Sequence, residues 1–124
     1  MRSWNVSDFD RVRDIALELP EVEESVSWGT PSLKVRGRLF LRRHEDPELT
    51  VVKVSPEERK ALTEARPEVF LVTPHYENHR YMLVRTAELA EEELRELVAE
   101  AWRLSAPQRL VKAFDGDGDG GADA

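Results

Sequence analysis

The sequence predicts a single α+β domain, a sandwich of an antiparallel sheet and helices. Three observations carry that expectation. The element order reads helix, several strands, helix, two more strands, then helices. Most connections between neighbouring strands are too short for the crossover that parallel pairing needs. A chain of 124 residues is about one ordinary domain long and should bury roughly two-thirds of its unfolded surface.

Each element has a local reason. Phe9, Val12, Ile15, Ala16 and Leu19 recur at helical spacing behind a capping pair, Ser7 and Asp10, and Pro20 stops the run. A first helix over 8–19 follows. Residues 21–27 predict a short strand that ends at Trp28-Gly29-Thr30-Pro31, where glycine and proline force a break. Leu33 and Val35 alternate with Lys34 and Arg36, Gly37 supplies a turn, and 38–43 returns as the second arm of a hairpin. After a polar loop, the β-branched run 49–54 predicts another strand. Ser55-Pro56-Glu57-Glu58 is the sharpest local signal, with serine at the cap, proline at the first helical position and glutamate at the third. That helix should end near Ala65, because Pro67 disfavours helical geometry at Arg66. Residues 69–72 and 81–85 read as paired strands joined through 73–80. Leu94, Leu97, Val98 and Ala101 stripe a helix over 89–104, and Pro107 opens a last short helix through about Phe114.

The formal charge of −7 is unevenly spread. Residues 115–124 hold four aspartates, four glycines and two alanines, and predict a disordered acidic tail behind a domain over 1–114. Between Ser25 and His44 lie Lys34, Arg36, Arg38, Arg42 and Arg43 without one acid, a local charge of +5. The absence of cysteine excludes disulfides, thiolate metal sites and cysteine nucleophiles. No apolar run approaches the ~20 residues of a membrane span, and the N-terminal residues lack a signal-peptide core. A cytoplasmic protein without membrane contact is expected, more readily a monomer than an oligomer.

Strand alternation puts Lys34 and Arg36 on one face, and with Leu39 and Leu41 turned to the core it adds Arg38, Phe40 and Arg42. Arginines with an interposed aromatic suit phosphate contact and base stacking; the plainer reading is a solvated sheet face whose cations discourage edge pairing. The connection 73–80 offers a second surface through His75, Tyr76, His79 and Arg80. His75 and His79 are four apart, but in a turn and without a third ligand, so no metal site is expected. His75 could serve as a base oriented by Glu77, yet no nucleophile elbow, phosphate loop or carboxylate pair accompanies it. No catalytic residue and no cofactor are assigned. Asp10, Asp14 and Glu18 form an acidic stripe that Arg11 and Arg13 can neutralise locally. Asp115, Asp117, Asp119 and Gly120 match the opening of a calcium loop, but the twelfth-position glutamate is missing.

Several segments in order resemble a known family: Leu17-Glu18-Leu19-Pro20, Trp28-Gly29-Thr30-Pro31, Leu33-Lys34-Val35-Arg36-Gly37, Phe70-Leu71-Val72-Thr73-Pro74-His75-Tyr76 and Met82-Leu83-Val84-Arg85. Glu93-Leu94-Arg95-Glu96-Leu97-Val98, Ala101-Trp102-Arg103 and Ala106-Pro107 close the series. Over residues 4–112 the chain resembles the MmcQ/YjbR family of small bacterial proteins. The resemblance implies a frataxin-like (CyaY-like) sandwich with helices on one side of the sheet, and a "double-wing" nucleic-acid-binding role. By position, one wing is the hairpin from Lys34 to Arg43 and the other the connection from Thr73 to Arg80. The expected function is therefore low-specificity DNA binding by a non-enzyme. Lys34, Arg36, Arg38, Arg42 and Arg43 would contact phosphates, assisted by His75, Tyr76 and Arg80. The alternative is a protein-interaction or small-ligand module using Trp28, Phe40, His75 and Tyr76.

Overall fold

Ten elements follow the expected order in the computed structural model, which describes residues 8–27 and 29–116. Helix α1 (Asp8–Leu17) buries Phe9, Val12, Ile15 and Ala16 along one stripe. Strands β1 (Val22–Ser27), β2 (Thr30–Val35), β3 (Arg38–Arg43) and β4 (Thr50–Lys53) then form a meander. Helix α2 (Pro56–Ala65) follows, capped as its sequence requires: Ser55 Oγ accepts from the Glu58 N–H at 3.2 Å. Strands β5 (Phe70–Leu71) and β6 (Tyr81–Val84) close the sheet, and α3 (Glu91–Ser105) and α4 (Gln108–Gly116) complete the fold.

The six strands lie in the order β1-β2-β3-β4-β6-β5, antiparallel throughout. Alternation sorts their side chains. Val52 and Met82 are register partners on the face that joins Val12, Phe40, Leu94, Val98 and Trp102 in the main core. All four helices contribute to that core, α2 through Leu62 and α4 through Leu110 and Phe114. Val51 and Leu83, one residue along, belong to a smaller cluster on the opposite face with Leu49 and Tyr76. Trp102 is fully buried, donates its indole N–H to the Pro20 carbonyl at 3.0 Å and rests against the Phe114 ring.

Helix α4 continues two residues beyond Phe114. Asp115 and Gly116, expected in the tail, are helical, and Asp115 accepts from Arg103 at 2.8 Å. Ser7, Trp28 and the remainder of the expected tail, with Asp117, Asp119 and Gly120, lie outside the described residues. Among the described residues no helix is long and apolar enough to cross a membrane.

Candidate functional site

The first hairpin turns through Arg36 (φ 52°) and Gly37 (φ 83°), between the register partners Val35 and Arg38. Two successive positive φ values make the primed two-residue turn whose twist matches that of paired strands. Beyond the turn the alternation breaks. Leu33 pairs with Leu41 but Lys34 pairs with Leu39, so Phe40 is an extra residue, a β-bulge. The bulge corrects the expected facing: Phe40 is wholly buried in the main core beside Leu41, and it is Leu39 that lies on the open face.

The five hairpin cations consequently go to different places. Lys34 stands half-buried between Glu23 of β1 and Leu39 of β3. Arg36 reaches Glu21 at 3.0 Å, an exposed pair of little energetic weight. Arg38 is exposed, and Arg43 is half-buried, with an Nε that has no hydrogen-bond partner among the described residues. Arg42 departs furthest from the expected phosphate-contacting surface. Only 6% exposed, it donates to Thr30 Oγ1 and the Arg43 carbonyl at 3.1 Å and to the Tyr76 hydroxyl at 2.7 Å. Its guanidinium is a strut between the hairpin and the segment folded over it.

That segment is the second connection. Pro74–Tyr76 form one 3-10 turn, which drives Tyr76 down onto Val51 and Leu83 and leaves His75, His79 and Arg80 exposed. Its backbone is held by Arg59 of α2. One guanidinium nitrogen donates to the carbonyls of Tyr76 (3.0 Å), His79 (2.7 Å) and Tyr81 (3.1 Å), and the other to that of Glu77 (2.9 Å). The planar fork of donors in arginine suits such a convergent set.

Between the hairpin and this segment lies a pocket of about 550 Å³ on the open face. Leu39, Val51 and Tyr76 make its apolar base, and Tyr81, Thr73 and Arg42 its walls. All three histidines of the chain, His44, His75 and His79, line it together with Glu45. The rings meet edge to face, His75 to Tyr76 at 4.7 Å and Tyr76 to Tyr81 at 6.3 Å. His44 Nδ1 accepts from the Asp46 N–H, which leaves Nε2 towards Glu45 at 3.6 Å. A hydrogen bond from its own backbone N–H, with Arg42, His44 and His75 nearby, holds the Glu45 carboxyl below its ordinary value. Burial and Tyr76 push the Tyr81 hydroxyl up, which keeps it a donor to the Leu39 carbonyl.

Beside the pocket three cations converge. Burial lowers the Lys53 ammonium below its ordinary value, and the charges of Arg38 and Arg80 lower it further. The two hairpins thus meet electrostatically at a lysine outside the basic run 34–43. Its signal was there, since Lys53 alternates with Val51 at the end of β4, but its cross-strand neighbour Tyr81 emerges only from the sheet register. His44, Glu45, Arg59 and Tyr81 were missed for the same reason.

The acidic stripe is taken up only in part by its own helix: Asp14 pairs with Arg13 at 3.2 Å, whereas Glu18, just past the end of α1, pairs with Arg95 of α3 at 2.8 Å. Arg11 does not join it, donating instead to the carbonyls of Thr86 and Leu89. Among the described residues no three His, Asp or Glu side chains are grouped to hold a metal ion.

The family model YjbR matches residues 17–104, a span that contains both hairpins, the pocket and the Lys53 cluster. The chain belongs to the YjbR family. Relatives of this YjbR protein include the uncharacterized proteins Rv2570 of Mycobacterium tuberculosis and Mb2600 of Mycobacterium bovis, each 37% identical over 93 residues, 72% of either chain. The fold is similar to the crystal structure of the Deinococcus radiodurans protein DR2400, a DUF419 domain. The TM-score is 0.67 at 24% identity, over 79% of this chain and 77% of that one. At that identity the likeness speaks for the fold alone.

Proposed function

We propose that this YjbR protein is a non-catalytic nucleic-acid-binding module whose contact surface is the junction of its two hairpins. The observation that carries the proposal is the meeting of the two hairpins at the end of β4: Lys53 pairs with Tyr81, the Val54 N–H donates to the Arg80 carbonyl at 3.0 Å, and the charges of both Arg38 and Arg80 act on the Lys53 ammonium. None of the three makes an ion pair within the described residues, so a phosphate would relieve their mutual repulsion. Lys34, across Leu39 from this region, and Arg36 at the turn extend the surface, since the exposed Arg36–Glu21 pair yields to a phosphate at little cost. Arg43, opposite Thr50 at the other end of β3, does not join it. Arg42 and Tyr76 support the surface from beneath, and His75 borders it. Phosphate contact by a cluster this small favours low sequence specificity.

Fluorescence anisotropy of a labelled duplex across a salt series tests the reading. Each phosphate neutralised contributes a slope of about −0.9 in log K against log salt, and three contacts give about −2.7. The variant R38E/K53E/R80E should lose binding with its melting temperature unchanged, because none of the three side chains is fully buried. Undiminished binding by that folded variant overturns the proposal. Reversing Arg42 is no substitute, since a carboxylate in its buried position could not donate to the Arg43 carbonyl or to Thr30 Oγ1, whose own proton goes to the Ser27 carbonyl.

A further inference from the structure

Phosphate contact uses the cations beside the open-face pocket and leaves the pocket itself unexplained. Its volume, about 550 Å³, lies within the range of small-ligand sites and admits one planar ring system. Its base is apolar, through Leu39, Val51 and the ring of Tyr76, while exposed His75 and His79 stand at its mouth. Rings and aliphatic side chains in that arrangement suit a flat aromatic guest held by stacking. The polar groups suit the edge of a heterocycle: Glu45 accepts, and Thr73 both donates and accepts.

The position of the charges specifies the guest further. Lys53 is the cross-strand partner of the pocket residue Tyr81, and Arg80 immediately precedes it. Directly opposed residues in a sheet stand about 5 Å apart at Cβ. A ring held against Tyr81 would therefore have Lys53 as its neighbour on the sheet while the cation stays outside the pocket lining, an arrangement that matches a base and its own phosphate. We infer that the pocket receives one unpaired nucleobase whose phosphate lies on Arg38, Lys53 and Arg80. The inference rests on the nucleic-acid reading and sharpens it, since a base stacked within a duplex exposes only its edges and cannot enter. Single strands become the preferred partner, and a free nucleotide offers the same chemistry.

The test compares three probes: a labelled mixed-sequence 12-nucleotide strand, the same strand in a duplex, and adenosine monophosphate. Strand and duplex are followed by anisotropy, and the nucleotide by amide shifts of residues 75–81. The strand should bind about tenfold more tightly than the duplex, and H75A/H79A should remove about that factor for the strand alone. Both histidines are exposed, so the variant is expected to fold, which its melting curve checks. Equal affinity for strand and duplex, with H75A/H79A matching the parent on both, overturns the base pocket and leaves phosphate binding standing. Shifts with the mononucleotide but no binding of either strand or duplex support the pocket and overturn the nucleic-acid reading. No response to any probe overturns both.

Discussion

Arg42 shows how one residue can change role between sequence and structure. In the sequence it is the fourth cation of a basic run; in the fold it is buried, with neutral acceptors on two sides and Glu45 at 3.7 Å. Removing an acceptor from a buried charged donor costs about 1–3 kcal/mol. Tyr76→Phe should therefore lower the free energy of urea unfolding by that amount, with the pocket volume nearly unchanged. Gly37 is a residue-scale certainty of another kind. A methyl group added there meets nothing within 4 Å, yet φ is +83°, so Gly37→Ala should cost about 1 kcal/mol through backbone strain alone. The glycine turn was legible because its reason is local. The fate of Arg42 was not, because it depends on Tyr76, 34 residues away.

At the scale of elements, local chemistry and long-range placement separate cleanly. Ser55-Pro56-Glu57-Glu58 foretold the start of α2 because cap, proline and first-turn acids all act within four residues. Phe40 was assigned to the wrong face because a bulge adds one residue to β3 and shifts every facing before it. Nothing in Arg38-Leu39-Phe40-Leu41 announces that insertion. The second connection owes its shape to α2 rather than to its own residues, through the four carbonyls gathered by Arg59. Arg59→Met should accelerate amide hydrogen exchange over residues 76–81 by about tenfold, taking one net hydrogen bond to a charged donor as the loss. Exchange within α3 should not change. Arg59→Lys should restore part of the protection, because three of the four carbonyls converge on one guanidinium nitrogen and only that of Glu77 needs the second.

For the whole molecule, ion pairs tie α4 and the residues just past the ends of α1 and α2 to α3: Asp115 to Arg103, Glu18 to Arg95 and Arg66 to Glu93. The partner arginines hold Glu18 and Asp115 below their ordinary values. A carboxylate depressed in the folded state stabilises above its unfolded pKa, about 4, and that contribution disappears as pH falls through the folded value. Melting temperature should therefore decline as pH is lowered from about 5 towards 3. Glu58 has the opposite sign, since burial and then Glu100 raise it. Its charge opposes folding at neutral pH, so Glu58→Gln should raise the melting temperature at pH 7, with the gain vanishing once acid protonates the native carboxyl. The overall charge of −7 conceals a local excess of cations. If the aspartates beyond Gly116 compete with phosphates, removing residues 117–124 should tighten nucleic-acid binding severalfold at low salt, an effect that fades as salt screens it. Periodicity, capping and turn chemistry by themselves determined the element order, the antiparallel sheet and the α+β class, because each is decided by residues a few positions apart. Only the tertiary structure decided which cations share a surface, that Arg42 is a strut, and that three histidines line one pocket. Those facts rest on strand register, a bulge and contacts across tens of residues, whose energies no short stretch of chain contains.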